Sequence, residues 1–437
     1  MAIVQAPVTT APSASVTSLR DTGIDFVRAL CVVGVVLLHA IMVGVTIEEG
    51  APVFANASDG TAWIAPLSWG LQVMPLFFVI GGFSGLIAYR RARSRGGSAR
   101  AFVAARLHRL MRPAVVTIGV VGLALALLTV AGAPADLVAI AGFRYGQPLW
   151  FLAVFLMCQS LLPALAAAHE RSPLLTIAAL TAASIGVDAA RALTGIDLLG
   201  FLNLAFVWMT LQQLGFFLAD GRIDALARRT RLCIGVGALL LLILSFVCGI
   251  HSPDLIANIN PPTTALLLVG IVHTAALSLG RERIEQISRT PAAAAFTAFV
   301  TPRTMSIYLW HMPVLLVMAG ASAVFALLTG VDLPSLDSVG WWSARPLWLA
   351  VALAATALIA VVTTRFERRP SPTSAESSGR VAGGVLAALV GVLLLLVLGT
   401  SPATALIALA LITGALRLAA SRRLATSGHP AETPATA

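Results

Sequence analysis

The stretch RALCVVGVVLLHA, Arg28 to Ala40, carries an arginine near one end and a histidine near the other of an otherwise apolar run. Eleven residues turn an α-helix through about 1100°, some 20° past three full turns. Arg28 and His39 therefore share a helix face, ~16 Å apart along the axis. Asp25, three residues before Arg28, joins the same stripe. A polar line of this kind cannot face lipid without cost, so it is expected to face a bundle interior or a wet cavity. Arg28 lies near the end of the run, where snorkelling is an alternative. His39 lies deeper. It reads either as a buried structural histidine or, on a cavity, as the side chain best suited to proton transfer near neutral pH.

A second candidate is the stretch RRARSRGGSARAFVAARLHRLMRP, which holds eight arginines and no acid. Arg106, Arg109 and Arg112 recur every three residues and share one side of a helix. One reading is a surface helix on anionic lipid. The other is a site for a phosphorylated ligand, because arginine forks match phosphate oxygens. Four further stretches hold candidates that each read as structural when taken alone. In MPLFFVIGGFSG, the pair Gly81-Gly82 permits close backbone approach to a helix or a ligand. In PLWFLAVFL, Trp150 reads as an interfacial aromatic at the outer surface. MSIYLWHMPVLLV puts Tyr308, Trp310 and His311 in the inner half of a ninth span. RFERRP sets Glu367 among basic residues.

The elements that position these residues follow from composition. The 437 residues are 58% hydrophobic and 11% charged, with a mean hydropathy of +0.91. A soluble chain of this length needs far more charge to cover its surface. Apolar runs of about 17–25 residues, enough to cross ~30 Å of hydrocarbon, recur throughout. The expected fold is all-α and polytopic, with about twelve spans near 24–46, 66–88, 113–131, 148–168, 173–192, 199–219, 232–250, 262–280, 304–328, 344–364, 382–398 and 403–420. Ten form a membrane domain over 21–370. A Pro/Ser-rich linker, 371–380, leads to a two-span tail at 381–420, and polar tails are expected at 1–20 and 421–437. The first twenty residues have no apolar signal-peptide core, so the first span is expected to remain as an anchor.

The chain has no lysine, and its net charge of +10 comes from arginine. With both termini cytoplasmic, all 29 arginines except Arg144, Arg191 and Arg345 fall inside or at inner span ends. The positive-inside rule thus accounts for the charge and orients the chain in the cell membrane. Nucleic-acid binding would need a basic face on a soluble module, and none is visible. Cys31, Cys158, Cys233 and Cys248 fall within apolar runs without metal or disulfide spacing and read as small core residues. His108, His169 and His429 sit in or beside polar segments and are expected to be dispensable. No internal repeat is visible.

Together and in this order the stretches resemble the membrane acyltransferase-3 family, integral-membrane enzymes that O-acylate sugars and other cell-surface or secreted acceptors. The resemblance covers about 20–370. It rests on Asp25, Arg28-Ala29-Leu30 and His39; on Pro75 to Phe83; on Arg106 and Arg109 as Arg-x-x-Arg; on Trp150 to Leu152; on Tyr308 to His311; and on Glu367 to Pro370. The family often has serine where this chain has Gly81. Some members carry a C-terminal hydrolase-like domain where this chain has two apolar spans. The resemblance implies acyl-CoA as donor substrate, no bound cofactor or metal, and an acceptor hydroxyl on a glycan, glycolipid or metabolite. It implies His39 as general base, Arg106 and Arg109 on the donor's phosphates with Arg28 beside them, and supporting places for Asp25, Gly82, Trp150, Tyr308, His311 and Glu367. A rival expectation is a transporter or flippase whose path is lined by the buried Arg and His. Inverted repeats and broken helices would mark it, and neither is evident in the sequence.

Reporter fusions test the orientation. Fusions after Arg100 and after Arg423 are expected to read inside, and one after Glu49 outside. An outside reading after Arg423 would mean that the tail crosses once or re-enters.

Overall fold

In the computed structural model, which describes residues 21–59 and 61–421, Asp21 starts the first helix. Its Oδ1 accepts from the Ile24 N–H at 2.9 Å, an N-cap that occupies one otherwise unpaired donor. Helix α1 (Thr22–Met42) runs directly into a hairpin of β1 (Val43–Glu48) and β2 (Ala51–Asn56). Glu49 and Gly50 both take positive φ, as a two-residue hairpin turn requires. The expected span 24–46 thus ends early. A segment rich in β-branched residues after Met42 (Val43, Val45, Thr46, Ile47) leaves the helix for an antiparallel pair.

The remaining helices follow in order: α2 (Ile64–Leu71), α3 (Met74–Ser94), α4 (Ala99–Val130), α5 (Ala135–Gly146), α6 (Leu149–Arg171), α7 (Pro173–Thr194), α8 (Asn203–Ala219) and α9 (Arg228–Val247). Then come α10 (Ala265–Leu279), α11 (Arg281–Ser288), α12 (Pro291–Val300), α13 (Thr304–Thr329), α14 (Val339–Glu367), α15 (Ser378–Val397) and α16 (Pro402–Ala419). Eleven stretches are long and apolar enough to cross a membrane, or twelve if α10 and α11, bent by 70°, count as one span. The chain is an all-α polytopic membrane protein. The tails expected at 1–20 and beyond Ser421, His429 among them, lie outside the described residues.

Several spans differ from their expected form. The second is α2 plus α3, the fourth is α5 plus α6, and the ninth starts at Pro291, where α12 and a short 3-10 turn (Thr301–Arg303) precede α13. The third helix begins at Ala99, so Arg106, Arg109 and Arg112 lie within α4. Pro113 also sits inside α4; it has no N–H to offer the Arg109 carbonyl, which stands one turn before it.

Helix packing without a hydrophobic drive relies on close contact at small residues. A Cβ on Gly82 would stand 2.1 Å from the Gln212 carbonyl oxygen of α8, and one on Gly215 would stand 2.0 Å from that of Val79 in α3. The two glycines let α3 and α8 touch backbone to backbone. At the ends of α3, α6 and α8, His169 is 1% exposed. Its Nε2 lies 3.0 Å from Asp220 and its Nδ1 2.6 Å from Gln213. Although it lies beside a polar segment, His169 is thus buried and held by two partners from the end of α8. Burial by itself would raise the Asp220 carboxyl, but the hydrogen bonds from Arg90 and His169 outweigh it and hold the group below the usual carboxylate range. Cys31 and Cys158 are buried, whereas Cys233 and Cys248 are exposed on the bundle surface. The last two are not core residues, because α9 presents them outward. The tail helices α15 and α16 pack against α6 and α4.

Gly82→Ala is expected to lower the thermal midpoint of the detergent-purified protein, since overpacking against rigid backbone costs about 1–3 kcal/mol. Gly186→Ala in α7, where a Cβ meets nothing within 4 Å, is expected to be neutral or to stabilise by up to ~1 kcal/mol. Equal midpoints for the two variants would contradict the close α3–α8 approach.

Candidate active site

Three interrupted spans meet at one cavity of about 110 Å³. Its walls come from α1 (Val32, Val36, His39), from the α2–α3 break (Leu71, Gln72), from the α5–α6 junction (Pro148, Trp150, Phe151) and from the start of α13 (Thr304, Met305, Tyr308). Ile256 and Ile259, from the segment between α9 and α10, add a further wall. An interrupted helix frees backbone groups that hydrocarbon cannot satisfy, so such breaks are tolerated only where protein or water meets them.

Named side chains tie each break to a neighbouring segment. Gln72, 1% exposed, donates from Nε2 to the Leu255 carbonyl at 2.8 Å. The Tyr308 hydroxyl donates to the Pro148 carbonyl at 2.6 Å. Glu367 Oε1 accepts from the Met305 N–H at 3.3 Å, and its Oε2 accepts from the Ser306 N–H at 3.1 Å and the Ser306 hydroxyl at 3.0 Å. A carboxylate at the first turn of α13 also complements the positive end of the helix dipole. Glu367 therefore holds α13 rather than the cavity.

His39 is half-buried on the cavity wall. Its Nδ1 lies 3.2 Å from Nε2 of His311, with ring centroids 5.0 Å apart. The Nδ1 of His311 faces the Tyr308 carbonyl one turn back. The expectation that His311 lies in the inner half of its span needs correction. The preceding α12 and 3-10 turn carry the chain inward first, so His311 stands level with His39. Trp150 also differs from its expected place at the outer interface. It stacks on Trp208, centroids 5.5 Å apart, and Trp208 stacks on Phe78 at 4.4 Å. The α5–α6 break turns its ring into the bundle and onto the cavity.

At the other end of α1, Arg28 donates to Asp25 at 2.9 Å and to the Ser84 hydroxyl. The stripe predicted from spacing thus meets two partners: Arg28 faces α3 and His39 faces α13. Arg106 lies over the Phe102 ring at 4.8 Å. Its charge acts on those of Arg109 and Arg28, and Glu367 feels that of Arg109. Arg112 departs from this group, because it donates to the Arg369 and Pro370 carbonyls at 3.0 and 2.8 Å. Among the described residues, Arg106 and Arg109 have no hydrogen-bonded or ion-paired protein partner. Gly82 serves the α3–α8 contact rather than the cavity. Among the described residues, no three His, Cys, Asp or Glu side chains form a group that could hold a metal ion.

Sequence reading missed Gln72, Trp208, Ser306 and Arg345. Only Arg345 carried a signal, as an arginine on the outer side of the expected topology. It is 9% exposed and donates to the Ala40 and Val43 carbonyls at the end of α1.

The fold is thus a multi-pass membrane bundle with one histidine on a cavity wall and a second in contact with it. The family model described as an acyltransferase domain matches residues 21–365. The chain belongs to the acyltransferase-3 family of membrane O-acyltransferases. No curated protein and no solved structure matches it.

Tyr308→Phe is expected to cost about 1–3 kcal/mol, because it leaves the Pro148 carbonyl unpaired in a dry setting. Differential scanning of the purified protein would show a lowered midpoint. An unchanged midpoint would mean that water replaces the hydroxyl.

Proposed function

We propose that the protein moves an acyl group, by default acetyl, from acyl-CoA to a hydroxyl of a cell-envelope glycan, glycolipid or secreted glycosylated metabolite. It acts in the plasma membrane with both termini in the cytoplasm. The observation that carries this reading is the placement of two unlike sites along α1. Among the described residues Arg106 and Arg109 have no hydrogen-bonded or ion-paired protein partner, and the charge of Arg28 acts on Arg106, whereas His39 lines a mostly apolar cavity eleven residues beyond Arg28.

Arg106 and Arg109 would hold the donor's phosphates as charge-assisted contacts. The acyl arm would then run inward beside α1 toward His39. The acceptor would enter from the hairpin face. His39 takes the proton of the acceptor hydroxyl as its oxygen attacks the thioester carbonyl carbon. A C–O bond forms, the C–S bond breaks, and the proton passes from His39 to the departing thiolate, giving ester and free CoA. A positioned base typically contributes ~10²–10⁴-fold. Three interrupted spans around one cavity also suit a translocation path, so the breaks, which the sequence did not reveal, keep a transporter as the second reading.

The test pairs calorimetric binding of acetyl-CoA with free-thiol release in the presence of an envelope-glycan fraction. Arg106→Ala and Arg109→Ala are expected to weaken acetyl-CoA binding and to recover turnover at higher donor. His39→Ala is expected to bind acetyl-CoA normally and to lose at least ~10²-fold in turnover at every donor concentration. Loss of donor binding in His39→Ala alone would overturn the split site. Glycan transport by proteoliposomes without thiol release would favour the second reading.

A further inference from the structure

His39 on the cavity wall and His311 in contact with it do not have free choice of tautomer. His311 Nδ1 faces the Tyr308 carbonyl, which can only accept. That nitrogen therefore carries the proton, and in the neutral ring Nε2 offers a lone pair. His311 Nε2 points at His39 Nδ1 across 3.2 Å. The proton between the rings must then sit on His39 Nδ1, which leaves His39 Nε2 bare. The Val35 carbonyl one turn back, which also acts on the His39 ring, can only accept and so likewise calls for a protonated nitrogen; Nε2 is not among the fully buried unpartnered atoms, and His39 lines the cavity.

The backbones that carry the two rings are held by opposite ends of one helix. At one end of α14, Arg345 Nη1 donates to the Ala40 and Val43 carbonyls at 3.3 and 3.1 Å, and Trp348 Nε1 donates to Ala40 at 3.1 Å. Ala40 follows His39 in the last turn of α1, where carbonyls have no partner within the helix and the dipole is negative. The Arg345 guanidinium also lies on the Trp341 ring at 3.9 Å, which fixes its plane. At the other end of α14, Glu367 holds the N–H groups of Met305 and Ser306, where the dipole of α13 is positive. Arg345 and Glu367 thus each have the sign that the helix terminus they meet calls for.

We propose that His311 and Arg345 are positioning residues for His39. His311 sets its tautomer, and Arg345 with Trp348 sets the helix end that bears it, so that Nε2 faces the cavity unprotonated. The proposal rests on the reading of His39 as the base, and its consequence is that a wrong tautomer would present an N–H where a lone pair is needed.

The test is 15N NMR of histidine-labelled full-length protein in lipid nanodiscs at neutral pH, with His39→Gln to assign the resonance. The wild type is expected to show His39 protonated at Nδ1 and bare at Nε2. His311→Phe and Arg345→Met are expected to give a mixture of tautomers and about 10²-fold lower kcat for thiol release, with the KM for acetyl-CoA nearly unchanged. His311→Gln, whose amide oxygen can accept from Nδ1, and Arg345→Lys are expected to recover a large part of kcat. A wild-type His39 protonated at Nε2, or a His311→Phe protein with unchanged tautomer and kcat, would overturn the proposal. The wild-type spectrum decides the geometry even where a variant fails to fold. Full thiol release by His39→Ala would instead refute the base itself, whatever the tautomer.

Discussion

Hydrocarbon offers no partner to a broken backbone, yet three spans of this bundle break around one cavity. Everything near the candidate site follows from how those breaks are closed. The Tyr308 hydroxyl meets the α5–α6 break and the Glu367 carboxylate the start of α13, while Gln72 ties the α2–α3 break to the Leu255 carbonyl. The alternative for each freed group would cost several kcal/mol in a dry setting. The same side chains that close the breaks also aim the cavity walls, so the stability of the region and its geometry cannot be separated.

Charge is distributed by the same logic. Arg112 and Arg100 are committed to carbonyls of the linker that leads to the tail helices. Arg28 is committed to Asp25 and Ser84. Arg345 serves the end of α1. Against that background it is informative that, among the described residues, Arg106 and Arg109 have no hydrogen-bonded or ion-paired protein partner, since Arg100 and Arg112 of the same stretch are tied down. Their charges act on one another, a repulsion that an anionic ligand would relieve.

Close helix contact supplies the remaining constraint. Gly82 and Gly215 bring α3 against α8 with no room for a side chain. Phe78 and Trp208, from these same two helices, stack at 4.4 Å and carry Trp150 with them. The tail helices add a second layer of such contact: a Cβ on Gly142 of α5 would stand 1.8 Å from the Thr400 carbonyl oxygen, between α15 and α16. The tail therefore braces the helix that leads into the α5–α6 break.

The sequence by itself determined what local pattern and composition encode. Apolar length gave the membrane class and nearly every span, because crossing hydrocarbon takes a fixed number of residues. The Asp25–Arg28 pair was legible because residues three apart on a helix are neighbours whatever surrounds them. The order of motifs gave the family. Only the tertiary structure decided the rest. Spacing put His39 on a polar face, but His311, 272 residues away, meets it only because α12 and a 3-10 turn precede α13. Trp150 turned inward, and the chain after Met42 became a hairpin, for reasons that lie in neighbouring segments. Periodicity states which face a side chain occupies; which helix packs on that face is set by contacts between residues far apart in the chain, and a single sequence does not carry that pairing.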